Sequence, residues 1–152
     1  MTTEHEKYMD LALEQSHEAR RLGNWPVASV IVRDGQIVGE GANSAYSNPD
    51  ATAHAEVAAI RDACRRLKTP DLTGCTLYTA MEPCPMCLWA LVEANIARVV
   101  MGARHAGVGR KDLGRYSVES MLEYTGRQME VVTGVREREC TALRLDWLKT
   151  RK

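Results

Sequence analysis

His54, Cys84 and Cys87 have the residue types and the spacing to hold a metal ion at a reactive centre. They fall in two short segments, His54-Ala55-Glu56 and Pro83-Cys84-Pro85-Met86-Cys87. Cys84 and Cys87 are three positions apart, so on a helix they lie about one turn from each other and point the same way. Each segment opens a stretch with helical patterning, and the positive end of a helix dipole favours the anionic thiolate that binds metal. One imidazole and two thiolates leave a fourth position open, the arrangement of a catalytic zinc and not of a structural one. The open position would take water, whose pKa on zinc falls to about 7, so hydroxide becomes available at neutral pH. Glu56, two residues past the histidine, is free to take a proton from that water and pass it on. A C-x-x-C pair that follows a strand and starts a helix also fits a thioredoxin-like redox pair. The H-x-E segment and the proline ahead of the first cysteine favour the metal. Cys64, Cys75 and Cys140 stand isolated among apolar neighbours and are expected in the core. His5 and His17 fall on a polar-rich first helix and are expected in solvent.

The elements that must position these groups alternate, which points to an α/β layered domain. Thr3 and Glu6 form a capping box for a first helix whose small-to-apolar face is Met9, Ala12, Leu13, Ser16 and Ala19, ended by Gly23. Val27 to Val32 is a short apolar strand, Asp34-Gly35 a two-residue hairpin turn, and Gln36 to Asn43 the returning strand. A turn-rich loop leads to a helix over His54 to Leu67, with Val57, Ile60 and Cys64 on one face. Thr76 to Ala80 is a strand, Met81-Glu82-Pro83 a tight turn, Cys84 to Asn95 a helix and Ala97 to Gly102 another strand. Strand, helix, strand in that order implies a parallel pair. A loop containing Gly and Arg follows, then a short helix near Ser117 to Glu123, a strand over Met129 to Gly134 and a closing helix over Arg136 to Lys149. There is no internal repeat, linker or low-complexity segment.

The length of 152 residues suits one domain, 1–152, and the 45% apolar content supports a buried core. Lys plus Arg equals Asp plus Glu at 20 each, which lacks the basic excess of a protein gripping many phosphates but leaves room for a local basic patch. The charged N-terminus has no secretory apolar run, and no stretch approaches the roughly 18 apolar residues of a membrane span. Five cysteines with one close pair do not form a disulfide framework and fit a reducing cytoplasm.

H-x-E followed by P-C-x-x-C is the signature of zinc deaminases, with the Glu as acid and base and not as a ligand. Together with TAHAEVAAIR, GCTLYTAMEPCPMCLWAL, RVVMGAR and the closing EREC helix, it makes the chain resemble the cytidine/deoxycytidylate deaminase superfamily over nearly its full length. Within that superfamily it is similar to the branch of bacterial guanine deaminases, yeast-type cytosine deaminases and tRNA adenosine deaminases. The resemblance implies a three-layer α/β/α sandwich around a five-stranded mixed sheet, with both motifs at helix N-termini on one side. It implies hydrolytic exchange of an exocyclic amino group on a nucleobase-like ring for oxygen, with release of ammonia. It also implies Zn2+ on His54, Cys84 and Cys87, Glu56 as proton shuttle, and a homodimer whose sites are bordered by the partner chain.

Asn43 matches an asparagine that hydrogen-bonds the substrate ring, and it also fits a turn-former. The Ala55 backbone N–H matches a donor to a ring carbonyl or nitrogen. Trp25 belongs to a loop that borders the pocket in relatives, either as a stacking surface for a planar base or as a core or dimer aromatic. Ser29 and His105 are candidates for lining the pocket. Asp112 is a candidate for an acidic residue that guanine deaminases carry after the fourth strand, and beside Lys111 it equally fits a solvated loop position.

The C-terminal third resembles the tRNA enzymes, yet Ala106-Gly107-Val108 replaces their Lys-Thr-Gly and Ser44 replaces an Arg after Asn43. AEVAAIRDAC and EPCPMCLWAL resemble guanine deaminases closely. The expected substrate is a small amino-heterocycle, guanine type first and cytosine type second, with no membrane partner and no nucleic acid. The alternative is adenosine-to-inosine deamination in a tRNA anticodon loop. A non-catalytic zinc scaffold would leave Glu56 idle.

Overall fold

The computed structural model describes residues 1–151. Its elements run in the order α1 (Glu4–Arg21), β1 (Ala28–Arg33), β2 (Gln36–Ala42), α2 (Ala55–Leu67), β3 (Thr76–Met81), α3 (Pro85–Glu93), β4 (Arg98–Ala103), α4 (Val118–Thr125), β5 (Glu130–Val132) and α5 (Glu137–Lys149). Each expected helix and strand is present, with ends displaced by a residue or two because the outermost positions are caps. The Thr3 side chain accepts from Glu6 N while the Glu6 side chain accepts from Thr3 N, closing the capping box of α1. Asp34 (φ 52°) and Gly35 (φ 74°) both sit in the left-handed region, which a two-residue hairpin of the primed kind requires.

The sheet order is β2-β1-β3-β4-β5. β1 runs antiparallel to β2 and β3, whereas β3, β4 and β5 are mutually parallel, so the five-stranded sheet is mixed. Helices α1 and α5 cover one face and α2, α3 and α4 the other, giving three layers. Side chains alternate accordingly. Ile31, Leu77, Val99 and Met101 join the core with Leu88, Leu91 and Val118, while Val30, Val32, Tyr78 and Val100 join Tyr8, Met9, Ala12 and Cys140. With both faces covered, the central strands are apolar almost without interruption.

The buried face of α2 is not Val57, Ile60 and Cys64, which are half-buried, but Ala55, Glu56, Ala59, Asp62 and Ala63. The reason is the closeness of α2 to β2. A Cβ on Gly41 would stand 2.6 Å from the Ala55 carbonyl oxygen, and one on Gly39 would stand 2.7 Å from that of Ala59. Contact at backbone distance selects small residues over large apolar ones. Asp62 fastens the same seam by accepting from Glu40 N at 2.9 Å and pairing with Arg65 and Arg66. This seam sets the height of the first turn of α2, which carries His54 and Glu56.

His5 is a second correction. It is half-buried, with Nδ1 2.7 Å from the Tyr78 hydroxyl across the α1–β3 contact, while His17 is exposed as expected. Cys75 and Cys140 are buried, Cys64 is half-buried against the core, and none of the five cysteines is in a disulfide. No helix among the described residues is long and apolar enough to cross a membrane.

Candidate active site

The register of the sheet brings the two motifs together. Ala28 at the start of β1 pairs with Ala42 at the end of β2, and Ser29 pairs with Thr79 near the end of β3. The chain therefore leaves β2 and β3 at the same edge of the sheet, and α2 and α3 both begin there. His54 (φ −80°, ψ 152°) and Cys84 (φ −71°, ψ 171°) occupy the N-cap positions in extended conformation, and neither side chain caps its helix. Pro85 takes the first turn of α3, where its missing N–H costs nothing.

Freed from capping, the side chains converge. His54 Nδ1 is 3.5 Å from Cys84 Sγ and 3.4 Å from Cys87 Sγ, and the three donor atoms lie within 4.8 Å of one another. A tetrahedral ion with Zn–S of about 2.3 Å and Zn–N of about 2.0–2.1 Å has S···N edges near 3.5 Å. The donor set therefore fits zinc in type and in spacing, with Nδ1 as the histidine ligand atom. Cys87 is fully buried and Glu56 is 4% exposed.

The charges in this cluster are strongly perturbed. The Cys87 thiol donates to Cys84, which holds the Cys84 pKa far below the usual thiol value and pushes that of Cys87 up. The hydrogen bond to Cys84 raises the His54 imidazole against the opposing effect of burial. Burial pushes the Glu56 carboxyl up to about 7, countered in part by its own backbone N–H. An ion would take both sulfurs as thiolates.

These groups open into a cleft of about 330 Å³, its mouth included, lined by Trp25, Val27, Asn43, His54, Glu56, Met81, Glu82, Cys84, Arg110 and Arg144. A larger depression of about 1010 Å³ beside Ala97, Arg127 and Val131 is wide open and holds none of these groups.

Of the residues singled out in the sequence, Trp25, Asn43, His54, Glu56 and Cys84 meet at this cleft, with Cys87 directly behind. Asn43 is both turn-former and cleft residue, because its Oδ1 accepts from Ala45 N at 3.1 Å. Ala55 is the buried first residue of α2. Trp25 lies 5.2 Å from the Trp147 ring, with the Arg144 guanidinium 4.4 Å from its centroid. Three candidates lie outside the lining. Ser29 is fully buried on β1, on the strand face that carries Ile31, and its Oγ has no partner among the described residues. His105 is buried with Nε2 3.4 Å from the Pro83 carbonyl, and burial lowers its pKa. Asp112 is exposed and grips Arg110 through both oxygens, at 2.8 and 3.2 Å.

The sequence reading missed Glu82, Arg110 and Arg144. Glu82 is 3% exposed and accepts from Arg104 Nε (3.0 Å), His105 N (2.9 Å) and Val118 N (2.9 Å). Burial alone would raise its pKa, but these donors outweigh it and the net shift is downward. Glu82 thereby ties the turn before Cys84 to the start of α4. Its only signal was its place before Pro83-Cys84. Arg144 has a clearer one, since it interrupts the apolar stripe Cys140, Leu143, Trp147 on α5.

A family model for the cytidine and deoxycytidylate deaminase zinc-binding region matches residues 2–103. The chain is 43% identical over 106 residues to a tRNA-specific adenosine deaminase of Aquifex aeolicus, covering 68% of this chain and 70% of that one. To a guanine deaminase of Bacillus subtilis it is 44% identical over 102 residues, covering 66% and 65%. It also matches a tRNA(Ile)-lysidine synthase of Deinococcus radiodurans at 40% identity, but spans only 23% of that protein's length. Among solved structures, a NE0047 variant in complex with 8-azaguanine superposes with a TM-score of 0.86 at 26% identity, covering 97% of this chain and 85% of that one.

Proposed function

Because this chain belongs to the cytidine and deoxycytidylate deaminase family, it is a zinc-binding hydrolytic deaminase, and we propose that it acts on a small amino-substituted nucleobase or nucleoside of the guanine type. The observation that carries the choice of a small ring is the cleft itself. Its lining sets the Trp25 ring, the Asn43 amide and the Glu56 carboxyl beside His54 and Cys84, an aromatic face and polar groups suited to one planar ring held against the metal donors. The neighbour bound to 8-azaguanine supports the guanine type. A second reading, adenosine in a tRNA anticodon loop, is supported by the 43% identical relative of that activity. It is weakened by Ser44 and Ala106-Gly107-Val108, which provide no cation for an RNA backbone.

In this reading, His54, Cys84 and Cys87 would hold zinc, which would supply hydroxide from water at neutral pH. Glu56 takes one proton from that water and delivers it to the ring nitrogen beside the reacting carbon. The water oxygen bonds to that carbon. The second water proton goes through Glu56 to the amino group, the C–N bond breaks, and ammonia leaves as the ring carbonyl forms. Asn43 orients the ring through its NH2 group, since its Oδ1 is already held by Ala45 N. Ala55 N–H, at the first turn of α2, donates to a ring acceptor.

The test is ammonia release by the zinc-loaded protein at physiological salt from guanine, guanosine, cytosine and an A-containing anticodon hairpin. Turnover of a base or nucleoside with an unchanged hairpin is the expected result. Inosine in the hairpin while the bases and nucleosides stay intact would replace this reading with the RNA one.

A further inference from the structure

Asn24 is a buried amide that binds a loop distant from it in sequence. It follows Gly23, just past the end of α1. Gly23 takes φ 91°, a left-handed conformation suited to glycine, and donates to the Arg20 carbonyl at 2.9 Å. Asn24 N donates to the Ala19 carbonyl at 3.0 Å. The pair of bonds is a Schellman ending, which turns the chain back toward the body of the protein. Asn24 is 1% exposed there. Its Oδ1 accepts from Tyr46 N and Ser47 N, both at 3.0 Å, and its Nδ2 donates to Ser47 Oγ at 2.9 Å. All three bonds go to the loop between β2 and α2, and none to α1 or β1.

That loop joins two residues of the cleft. It leaves β2 at Asn43 and reaches α2 at His54, and Ser44 N closes its neck by donating to the Ala53 carbonyl at 3.0 Å. Asn43 Oδ1 accepts from Ala45 N at 3.1 Å. Three successive N–H groups, those of Ala45, Tyr46 and Ser47, therefore serve two asparagines, the first Asn43 and the other two Asn24. With its oxygen held, the Asn43 side chain keeps its NH2 group as donor. Residues 46–49 are exposed, so burial does little to hold this turn. A further tie, from Arg151 to the Tyr46 hydroxyl at 3.1 Å, is made at the exposed end of that side chain. His54 has a separate anchor, because it stands at the N-cap of α2, which the glycines of β2 hold in place.

We infer that Asn24 is a positioning residue for the substrate ring: it fixes the turn whose Ala45 N–H aims the Asn43 amide. Asn24 itself lies outside the cleft lining. A donor oriented before the substrate arrives spares the complex the cost of ordering it. The role rests on the reading above, in which Asn43 contacts the ring, and deepens it. Ring binding should therefore depend on Asn24 while zinc binding, anchored through α2 and α3, should not.

The experiment is a double-mutant cycle on the zinc-loaded full chain, with Asn24→Ala, Asn43→Ala and both together, read by kcat, KM and zinc content per chain. Asn24→Ala is expected to lower kcat/KM by about 10-fold, the worth of one well-aimed hydrogen bond, and mainly through KM. Zinc content should stay at the wild-type value. In the Asn43→Ala background the same change should add little, because there is no amide left to orient. Asn24→Asp, whose two oxygens can accept from both N–H groups and from the Ser47 hydroxyl, should keep KM close to that of the wild type. Should Asn24→Ala fail to fold, Asn24→Ser, which leaves a hydroxyl in the same place, takes its part in the cycle under the same criteria. A lower melting temperature with KM unmoved would make Asn24 a structural residue only and overturn the inference. So would effects of the two substitutions that simply add, or an Asn43→Ala variant whose KM is that of the wild type. If the wild type converts the anticodon hairpin and no free base or nucleoside, the small-ring reading fails. The same cycle read on the hairpin then still decides the role of Asn24.

Discussion

Replacing Glu56 by glutamine is expected to leave zinc bound and the fold intact while turnover falls by about 10²- to 10⁴-fold. The side chain is 4% exposed, so an isosteric amide fills the same space without opening a cavity. It lies on the first turn of α2 beside the ligand cluster but outside the three-donor set, so metal content should not respond. What the amide cannot do is accept the proton of water and return it to nitrogen. The entire effect should therefore appear in kcat, read by ammonia release alongside zinc content per chain. Near-wild-type turnover would mean that another group moves the protons, and no other carboxyl in the cleft lining is free, because Glu82 is fully engaged.

The second large effect is expected from Cys87→Ser. Cys87 is fully buried, and its Sγ is 3.4 Å from His54 Nδ1. Loss of partners that only orient metal ligands costs about 10–100-fold in affinity, so loss of a ligand itself should exceed that. The variant should be isolated with little zinc and no measurable deamination. Because binding energy at such a site is also folding energy, the wild type should melt lower after chelation and recover with added zinc. The variant's melting temperature should ignore zinc altogether. Stoichiometric zinc in Cys87→Ser, or a melting temperature of the wild type that does not move with chelation, would remove Cys87 from the ligand set.

The ligand cluster was legible in the sequence because its chemistry depends on residue type at short spacing. His54, Glu56, Cys84 and Cys87 each fall within one helical turn of a helix start, and helix starts can be read from local pattern. Asn43 and Trp25 were legible through the resemblance, and both line the cleft. What lay beyond reach depends on contacts far apart in the chain. Arg144 comes from the last helix and meets Trp25 across the whole sequence, and Glu82 acquires its role only from Arg104, His105 and Val118. The face of α2 was misjudged for a related reason. Hydrophobicity favours Val57, Ile60 and Cys64, but the glycines of β2 draw the helix close enough to prefer Ala59 and Ala63. Ser29 lies outside the cleft lining, fully buried on the strand face of Ile31 that α2 and α3 cover. Asp112 lies in a loop between β4 and α4, where no period fixes which way a side chain points.

The central claim is that this site replaces an amino group with oxygen from water. The direct measurement is deamination of guanine or guanosine in water enriched in heavy oxygen, followed by mass spectrometry of the product and assay of ammonia. The account predicts one heavy oxygen atom in each product ring and one ammonia released per turnover, with both signals lost in Glu56→Gln. Product whose new oxygen is unlabelled, or ring conversion without ammonia, would contradict it.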